Sequence, residues 1–520
     1  MKTKFKKWLC CVSATVVMST FLWGCGSQGT TSTTGTSETS DVETSENTAT
    51  TVENVSINPE DYPTIKVSVL CINEPTDKAT VEEEISKITR EKIGCNIEFV
   101  PIIYGNMQQQ MSLLLSGGDD LVDIYFTGRW STLSSVVNNG QAIALDEYLA
   151  PYEEEMKAAI TESVYNCGKI NGTTYGLTRY LNFAGFPVYT TTKEIGDKYG
   201  LQNGDAITLD QLTEFFEKVK ADYPDKALVG TSSAGLNNQA FVGRVDNMGD
   251  PNILGGLLAD DDKTVVNYYA TDDYKNMVEY FKKWKEIGIT MDDPLNVVDR
   301  PGDYLPSGKC LGCFAIHYDA ASNGNYSTTN YGVECISVSI MDRTVTSPDW
   351  WYCVAPTCKN PDKAAAFLYL MTVDPDIENL LCLGVENVHY QILEDGTAAY
   401  IDGKDMTTTG WSMGVSWTWP NCTISIPFES DPDYYEIMVE ANNSVEYSDA
   451  FGFAFDSTAV ENEISACANV VAQYRPALEC GVPSDMDASY QEFLSALESA
   501  GIDKIIEEKQ RQLDEYLANK

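Results

Sequence analysis

Between Ile65 and Phe126 the apolar residues run through five segments of alternating period, and that restricts the fold more than any other feature of the chain. Ile65, Val67 and Val69 are separated by Lys66 and Ser68, the period of a strand. Val81, Ile85 and Ile88 follow at helical spacing before Gly94, which suits the residue just past a helix C-terminus. Ile97, Phe99 and Ile102 read as a second strand. Met107, Met111 and Leu114 mark a second helix, stopped at Gly117-Gly118, and Val122 to Phe126 forms a third strand. Strand–helix–strand–helix–strand implies a parallel sheet with right-handed crossovers.

The later chain keeps the mixture. Thr208-Leu-Asp-Gln211 is a capping box ahead of Leu212, Phe215, Phe216 and Val219. Tyr274, Met277, Val278, Phe281 and Trp284 give an amphipathic helix ending at Gly288. Pro361 opens another, with Ala364, Phe367, Leu368 and Met371 on its buried side. Two more close the chain: Tyr490, Phe493, Leu494 and Leu497 before Gly501, then Ile505, Ile506, Leu513 and Tyr516. The fold class is α/β. The roughly 460 residues beyond the N-terminal segments exceed what one hydrophobic core holds, so two or three domains are expected.

Those N-terminal segments point outside the cell. Lys2, Lys4, Lys6 and Lys7 precede an apolar run from Trp8 to Trp23, and Leu22-Trp23-Gly24-Cys25 ends it. A basic stretch followed by an apolar run shorter than a spanning helix is the order of a secretory signal. Leucine, then a small residue before cysteine, resembles a bacterial lipobox, with cleavage before Cys25 and lipid on its thiol; Trp23 departs from the small residue usual there. An uncleaved anchor is the alternative, and either places the folded part outside the cytoplasm. Gly26 to Ile57 is nearly all Ser, Thr, Gly, Glu and Asn. It cannot bury enough apolar surface to offset chain ordering, and reads as a disordered tether with a reach of roughly 30 Å.

The formal net charge of −42 argues against nucleic acid and anionic lipid headgroups as partners. Histidine occurs only at 317 and 389, outside any HExxH arrangement, which argues against a histidine-rich metal site. Gly230-Thr-Ser-Ser-Ala-Gly235 misses the GxSxG pattern, and no Walker A sequence occurs. No cofactor or metal is expected. Beyond Cys10, Cys11 and Cys25, twelve cysteines are scattered without a disulfide framework. Cys71, Cys353 and Cys382 sit in apolar runs and read as small core residues; Cys310-Leu-Gly-Cys313 reads as strand packing or a local disulfide. Carboxylate pairs of the glycosidase kind stay open, since separations are invisible in a sequence.

Aromatic residues supply the remaining signal. Trp350, Trp351, Trp411, Trp417 and Trp419 crowd the later half, and Trp130 follows the third strand. Flat rings beside amides and carboxylates suit sugars, whose C–H faces stack while their hydroxyls hydrogen-bond. Core packing is the competing account. If extended, Trp417 and Trp419 share one strand face, ended by Pro420.

At this point a family resemblance enters. It is carried by the lipobox at Cys25, by Ser116-Gly-Gly-Asp-Asp-Leu-Val-Asp-Ile124, by Gly140-Gln-Ala-Ile-Ala-Leu-Asp146, by Ile170-Asn-Gly-Thr-Thr-Tyr-Gly-Leu177 and by Asn360-Pro-Asp-Lys-Ala-Ala-Ala-Phe-Leu368. In that order these resemble extracellular solute-binding proteins of ABC importers, in the class of the maltose-type oligosaccharide binders. Gly384-Val-Glu-Asn-Val-His-Tyr390, Gly452-Phe-Ala-Phe-Asp456, Asn462-Glu463 and the stretch from Ala500 to Leu513 are similar to a Gram-positive lipoprotein subgroup with its own C-terminal domain.

The resemblance implies a two-lobed, type II periplasmic-binding-protein-like fold with the ligand between lobes. Lobe 1 would take residues 58–183 and 332–372, and lobe 2 residues 184–331 and 373–520. It implies a monomer held at the membrane through its lipid and delivering a carbohydrate to permease subunits. A peptide ligand, a surface glycosidase, and a sensor or adhesin on the same fold are the rivals. In open α/β sheets ligands sit beyond the carboxyl ends of strands. That rule and the resemblance nominate Glu74, Arg129, Trp130, Arg179, Tyr318, Asp319, Trp350 and Trp351 for ligand binding, with Trp417 and Trp419 as second choices.

Overall fold

The first strand, β1 (Thr64–Cys71), pairs in parallel with β2 (Asn96–Ile103) along its whole length, from Thr64 beside Asn96 to Cys71 beside Ile103. On its other side lies β3 (Ile124–Gly128), with Val67 opposite Ile124. The links are α1 (Lys78–Lys92) and α2 (Met107–Ser116), so the expected βαβαβ unit is present. Helix α1 buries Val81 and Ile85, and Gly94 follows its end at φ +69°, as a left-handed terminating residue should. The third strand starts two residues later than its apolar run, because Asp123 is occupied in accepting from the Lys66 amide at 2.8 Å. The computed structural model describes residues 58–519, apart from 117–120, 129–130, 182, 234, 237–244, 298–299, 343, 346, 406 and 412. Cys25, the Gly26–Ile57 tether, Arg129 and Trp130 therefore lie outside the described residues.

After β4 (Gly176–Thr178) the chain leaves this sheet and builds a second one. There β5 (Ala184–Thr192) is central, flanked antiparallel by β6 (Gly312–His317) and β7 (Cys335–Ser339). Two helices cover it, α3 (Leu209–Asp222) and α4 (Asp272–Ile287). Both bonds of the Thr208/Gln211 capping box are made, and Trp284 stacks on Phe314 with centroids 5.9 Å apart. The chain then returns as β8 (Trp350–Val354), which inserts antiparallel between β3 and β4 to give the order β2-β1-β3-β8-β4. The buried residues divide accordingly. One core gathers Val67, Phe126, Tyr352 and Phe367, the other Tyr189, Phe216, Trp284 and Phe314.

Two lobe boundaries differ from expectation. β7, assigned by sequence to the first lobe, pairs with β5 in the second sheet, and the return happens only at Trp350. The stretch beyond 373, assigned to the second lobe, packs first on the first core through Ile377, Leu381, Trp411, Trp419 and Cys422. Chain length explains this. Helix α6 (Pro361–Val373) is joined to α7 (Pro375–Leu383) by Asp374 alone, which caps α7, so no linker exists to carry it to the other sheet.

The chain changes cores late. After α5 (Ala320–Tyr331), which precedes β7, the next long helix to lie near the crossovers is α8 (Tyr434–Asn443). Phe451 belongs to the first core and Phe453 to the second. Between them Gly452, at φ +91°, presses on Cys167, where a Cβ would meet the sulfur at 3.0 Å. From there α9 (Glu461–Glu479), α10 (Met486–Ala500) and α11 (Ile502–Asn519) complete the second core with Val471, Phe493, Leu497 and Leu513. Lys509 is buried with them and donates to the carbonyls of Leu254 and Gly255 at 2.8 and 3.0 Å. The twelve described cysteines are free thiols. Cys71, Cys353 and Cys382 are core residues; Cys310 and Cys313 are buried free thiols, and burial pushes the Cys310 thiol up to about 11.

Candidate ligand-binding site

Strand register defines the site. Ile103 lies beside Cys71, Gly128 beside Trp350, and Thr178 beside Trp351. The carboxyl ends of β1, β2, β3 and β4 and the amino end of β8 thus share one edge of the first sheet, the side where open α/β sheets hold ligands. Alternation then sorts the two nominated tryptophans of β8. Trp350 and Tyr352 face the side occupied by Phe126, on which Trp350 stacks at 4.8 Å. Trp351 faces the other way, is 3% exposed, and donates its indole N–H to the Cys167 carbonyl at 2.9 Å. Trp351 is therefore a packing residue.

Arg179 organises the edge. It follows β4, and its amide and the Thr178 hydroxyl both donate to the Trp350 carbonyl, at 3.4 and 2.9 Å. Its guanidinium donates to Asp349 Oδ1 at 2.7 Å and to the Trp417 carbonyl at 3.2 Å. The same group lies over the rings of Trp350 and Trp417, 5.7 and 5.1 Å from their centroids. Each such cation–ring contact contributes ~0.5–2 kcal/mol, more as water is excluded. The two indoles meet edge to face at 5.6 Å. Trp417 is half-buried, whereas Trp350 is 4% exposed.

The segment carrying Trp417 is not extended but a 3₁₀ turn, Met413–Thr418, with Val415 off the helical region. A turn cannot place Trp417 and Trp419 on one face. Trp419 instead goes into the core, 1% exposed, stacked on Tyr352 at 5.8 Å. Of the second choices, Trp417 reaches the edge and Trp419 does not.

Glu74 is exposed in the loop after β1. That loop is pinned behind it. Asp77 donates its amide to the Gly410 carbonyl at 2.9 Å and sets its carboxylate 3.4 Å from His389 Nε2. Burial holds the His389 imidazole below its usual pKa, against the pull of Asp77.

In the second lobe, Tyr318 and Asp319 follow β6 as expected, but both are committed to structure. The Asp319 carboxylate caps α5 by accepting from the Ser322 amide at 2.7 Å. Tyr318 is 1% exposed, against His317 at 4.1 Å, Tyr434 at 5.3 Å and the apolar side chains of Met438 and Leu181. Burial lowers His317 to about 4, so its imidazole is neutral. This cluster sits against the first crossover, which Asn442 of α8 holds. Its amide oxygen accepts from the Phe183 and Ala184 amides at 2.9 and 3.2 Å, and its NH₂ donates to the Leu181 carbonyl at 2.7 Å.

Of the nominated residues within the described structure, the edge brings together Arg179, Trp350, Trp417 and, in the adjacent loop, Glu74. Sequence reasoning missed Asp349 and Asn442. An acid immediately before an aromatic strand start could have flagged Asp349; nothing local distinguishes Asn442.

The fold has counterparts among solved structures. The structure of the N-glycan transport solute binding protein (NgtS) from Streptococcus pneumoniae superposes with a TM-score of 0.72 at 20% identity, covering 88% of this chain and 99% of that one. The chain has the two-lobed, type II solute-binding-protein fold. An HMO-binding, ABC-transporter-associated solute binding protein from Bifidobacterium longum infantis shares that fold at a TM-score of 0.61 and 16% identity, over 87% of this chain and 99% of its own. Among curated proteins, one from Streptococcus pneumoniae serotype 4, named carbohydrate ABC transporter substrate-binding protein, is 23% identical over 472 residues, 88% of this chain and 92% of the relative. Residues 449–518 match a family described as a domain of unknown function (DUF3502). That domain spans α9 to α11, the part of the solute-binding fold that fills the second core.

Proposed function

We propose that this protein is the substrate-binding subunit of an ABC importer, capturing an extracellular oligosaccharide and handing it to membrane permease subunits without catalysis. It works as a monomer outside the cytoplasmic membrane, tethered through lipid on Cys25. The observation that carries this reading is the group of Trp350, Trp417, Arg179 and Asp349 at the carboxyl edge of the first sheet. It combines a half-buried indole with a fixed cation and a carboxylate, the pairing that suits a hydroxyl-rich, flat-faced ligand.

The likeness to carbohydrate binders supports it. NgtS is described in complex with Man1GlcNAc and with Man5GlcNAc, and a Streptococcus pneumoniae relative of the same fold, FusA, in complex with kestose.

The test is thermal unfolding of the purified protein against a library of glycans and peptides. A glycan at a hundred times its Kd should add about 2.7 kcal/mol of stability. Stabilisation by peptides alone would overturn the carbohydrate assignment, and release of reducing ends from a bound glycan would overturn the absence of catalysis.

A further inference from the structure

One large aromatic ring at the same sheet edge has no part in the cluster around Arg179. Tyr104 follows the last residue of β2 and is 53% exposed. A single exposed tyrosine on a protein surface ordinarily needs no explanation. Tyr104 differs in its position. Because Ile103 is in register with Cys71, it stands level with the loop carrying Glu74, and through β3 with Trp350 and Arg179. Its backbone is also held. The turn Tyr104–Asn106 leads directly into α2, and Gln110 of that helix accepts from the Ile103 amide at 2.8 Å, fixing where β2 ends. Asn106, Gln108 and Gln109 beside it are exposed amides with both donors and acceptors to offer.

The sheet order gives the dimension. From β2 to β4 there are four strand-to-strand steps in the order β2-β1-β3-β8-β4. At about 4.8 Å each, they separate Tyr104 from Arg179 by roughly 19 Å along the edge. Each hexose of a linear chain advances by about one such step. The edge thus reads as a track: an exposed ring with amides at one end, exposed Asn73 and Glu74 next to it, and the Trp350–Trp417–Arg179 cluster at the other.

We infer that Tyr104 is the far stacking platform of a linear sugar track, so that the site selects oligosaccharides of about four or more residues over shorter ones. This rests on the carbohydrate reading above and sets the length of its ligand. Short sugars occupy the Trp417 end, and only chains long enough to pass Glu74 gain the Tyr104 contact.

The experiment measures Kd by calorimetry for linear manno- and fructo-oligosaccharides of two to six units, with wild type, Tyr104→Ala and Tyr104→Phe. In wild type, affinity should rise with length up to at least four units. In Tyr104→Ala the last part of that rise, about tenfold, should disappear, while Tyr104→Phe, which keeps the ring, should retain it. A length dependence identical in wild type and Tyr104→Ala, or an equal loss at every length, overturns the track and leaves the carbohydrate reading standing. Failure of wild type to bind any of these sugars overturns the track; the carbohydrate reading falls with it only if the glycan library above also gives no stabilisation.

Discussion

The Arg179 guanidinium and the Asp349 carboxylate meet at 2.7 Å, with each side chain only 12% exposed. Arg179 lies just past β4 and Asp349 just ahead of β8, so the pair ties the chain's exit from the first sheet to its return 170 residues later. The same guanidinium supports two indoles, and positioning of the proposed binding edge and closure of the sheet are therefore one structural event.

Replacing Arg179 with Leu should be costly for that reason. It removes the salt-bridge partner of a largely buried carboxylate and the hydrogen bond to the Trp417 carbonyl together. Breaking one side of such a pair costs about 3–5 kcal/mol, and partial solvent access at Asp349 puts this case at the low end. Equilibrium urea denaturation would measure it. Arg179→Leu with Asp349→Leu should recover part of the loss, because the buried charge is gone; no recovery would mean that the ring contacts dominate.

Trp417 and Trp351 should separate binding from stability. Trp417→Ala removes a half-buried ring at the edge and should weaken glycan binding by ~1–3 kcal/mol with a modest effect on unfolding. Trp351→Ala opens a cavity on the opposite face of β8 and removes the indole donor from the Cys167 carbonyl, costing about 3–5 kcal/mol of stability. Calorimetric affinities beside unfolding midpoints distinguish the two. The opposite pattern would return Trp417 to the core.

That contrast also marks what the sequence could show. Helices were legible wherever one face had to be buried and an end had to be capped. The Thr208/Gln211 box, the Tyr274–Trp284 stripe and Pro361 each carry their local cause within a few residues. The βαβαβ unit was legible because period 2 and period 3.6 differ. The candidate edge was legible only in outline. The crossover position of Arg179 and the loop resemblance at Trp350 nominated two residues that the structure brings together, but adjacent tryptophans on β8 point to opposite faces, and nothing in the pair Trp350-Trp351 says which is which. Trp419 was indistinguishable from Trp417 until the 3₁₀ turn at Met413–Thr418 rotated them apart. The lobe boundary failed because it depended on which core received α7, a matter of linker length across 373–375.

Acidity should stabilise the first core through Glu378. This side chain is fully buried, accepts from the Cys382 thiol at 3.5 Å, and is pushed by burial up to about 8 from the ordinary 4.5. Its folded pKa lies above its unfolded one, so the contribution is fully present below pH 4.5 and is lost as pH rises toward 8. The slope is about 1.4 kcal/mol per pH unit for this one group. Glu378→Gln should match wild type near pH 4.5 and exceed it at pH 8. Urea midpoints at both values check this, and a wild-type advantage at pH 8 would show that the ionised carboxylate is stabilised by a route not seen here.

Lipid attachment has a direct test. Cys25→Ala should abolish labelling by a palmitate analogue in cells and leave the chain as precursor or released protein. Labelling that persists in the variant would move the anchor to another residue and remove Cys25 from the proposed arrangement.

The crossover offers the last test. Asn442 makes three hydrogen bonds to the backbone at Leu181, Phe183 and Ala184 while 1% exposed, so its side chain fixes where the chain passes from β4 to β5. Asn442→Ala leaves two amides and a carbonyl without those partners. Each unmet buried group costs about 1–3 kcal/mol, less where water can enter the gap. A shortfall in stability of a few kcal/mol is expected, together with a change in the lobes' equilibrium, because the tether between them loosens. Small-angle scattering should show wild type contracting on glycan addition. Asn442→Ala should start from a different radius of gyration and reach the same bound value, since the ligand's own contacts define the closed state. An unchanged free radius would confine Asn442 to stability, and an unchanged radius in wild type on saturation would remove lobe closure from the binding mechanism.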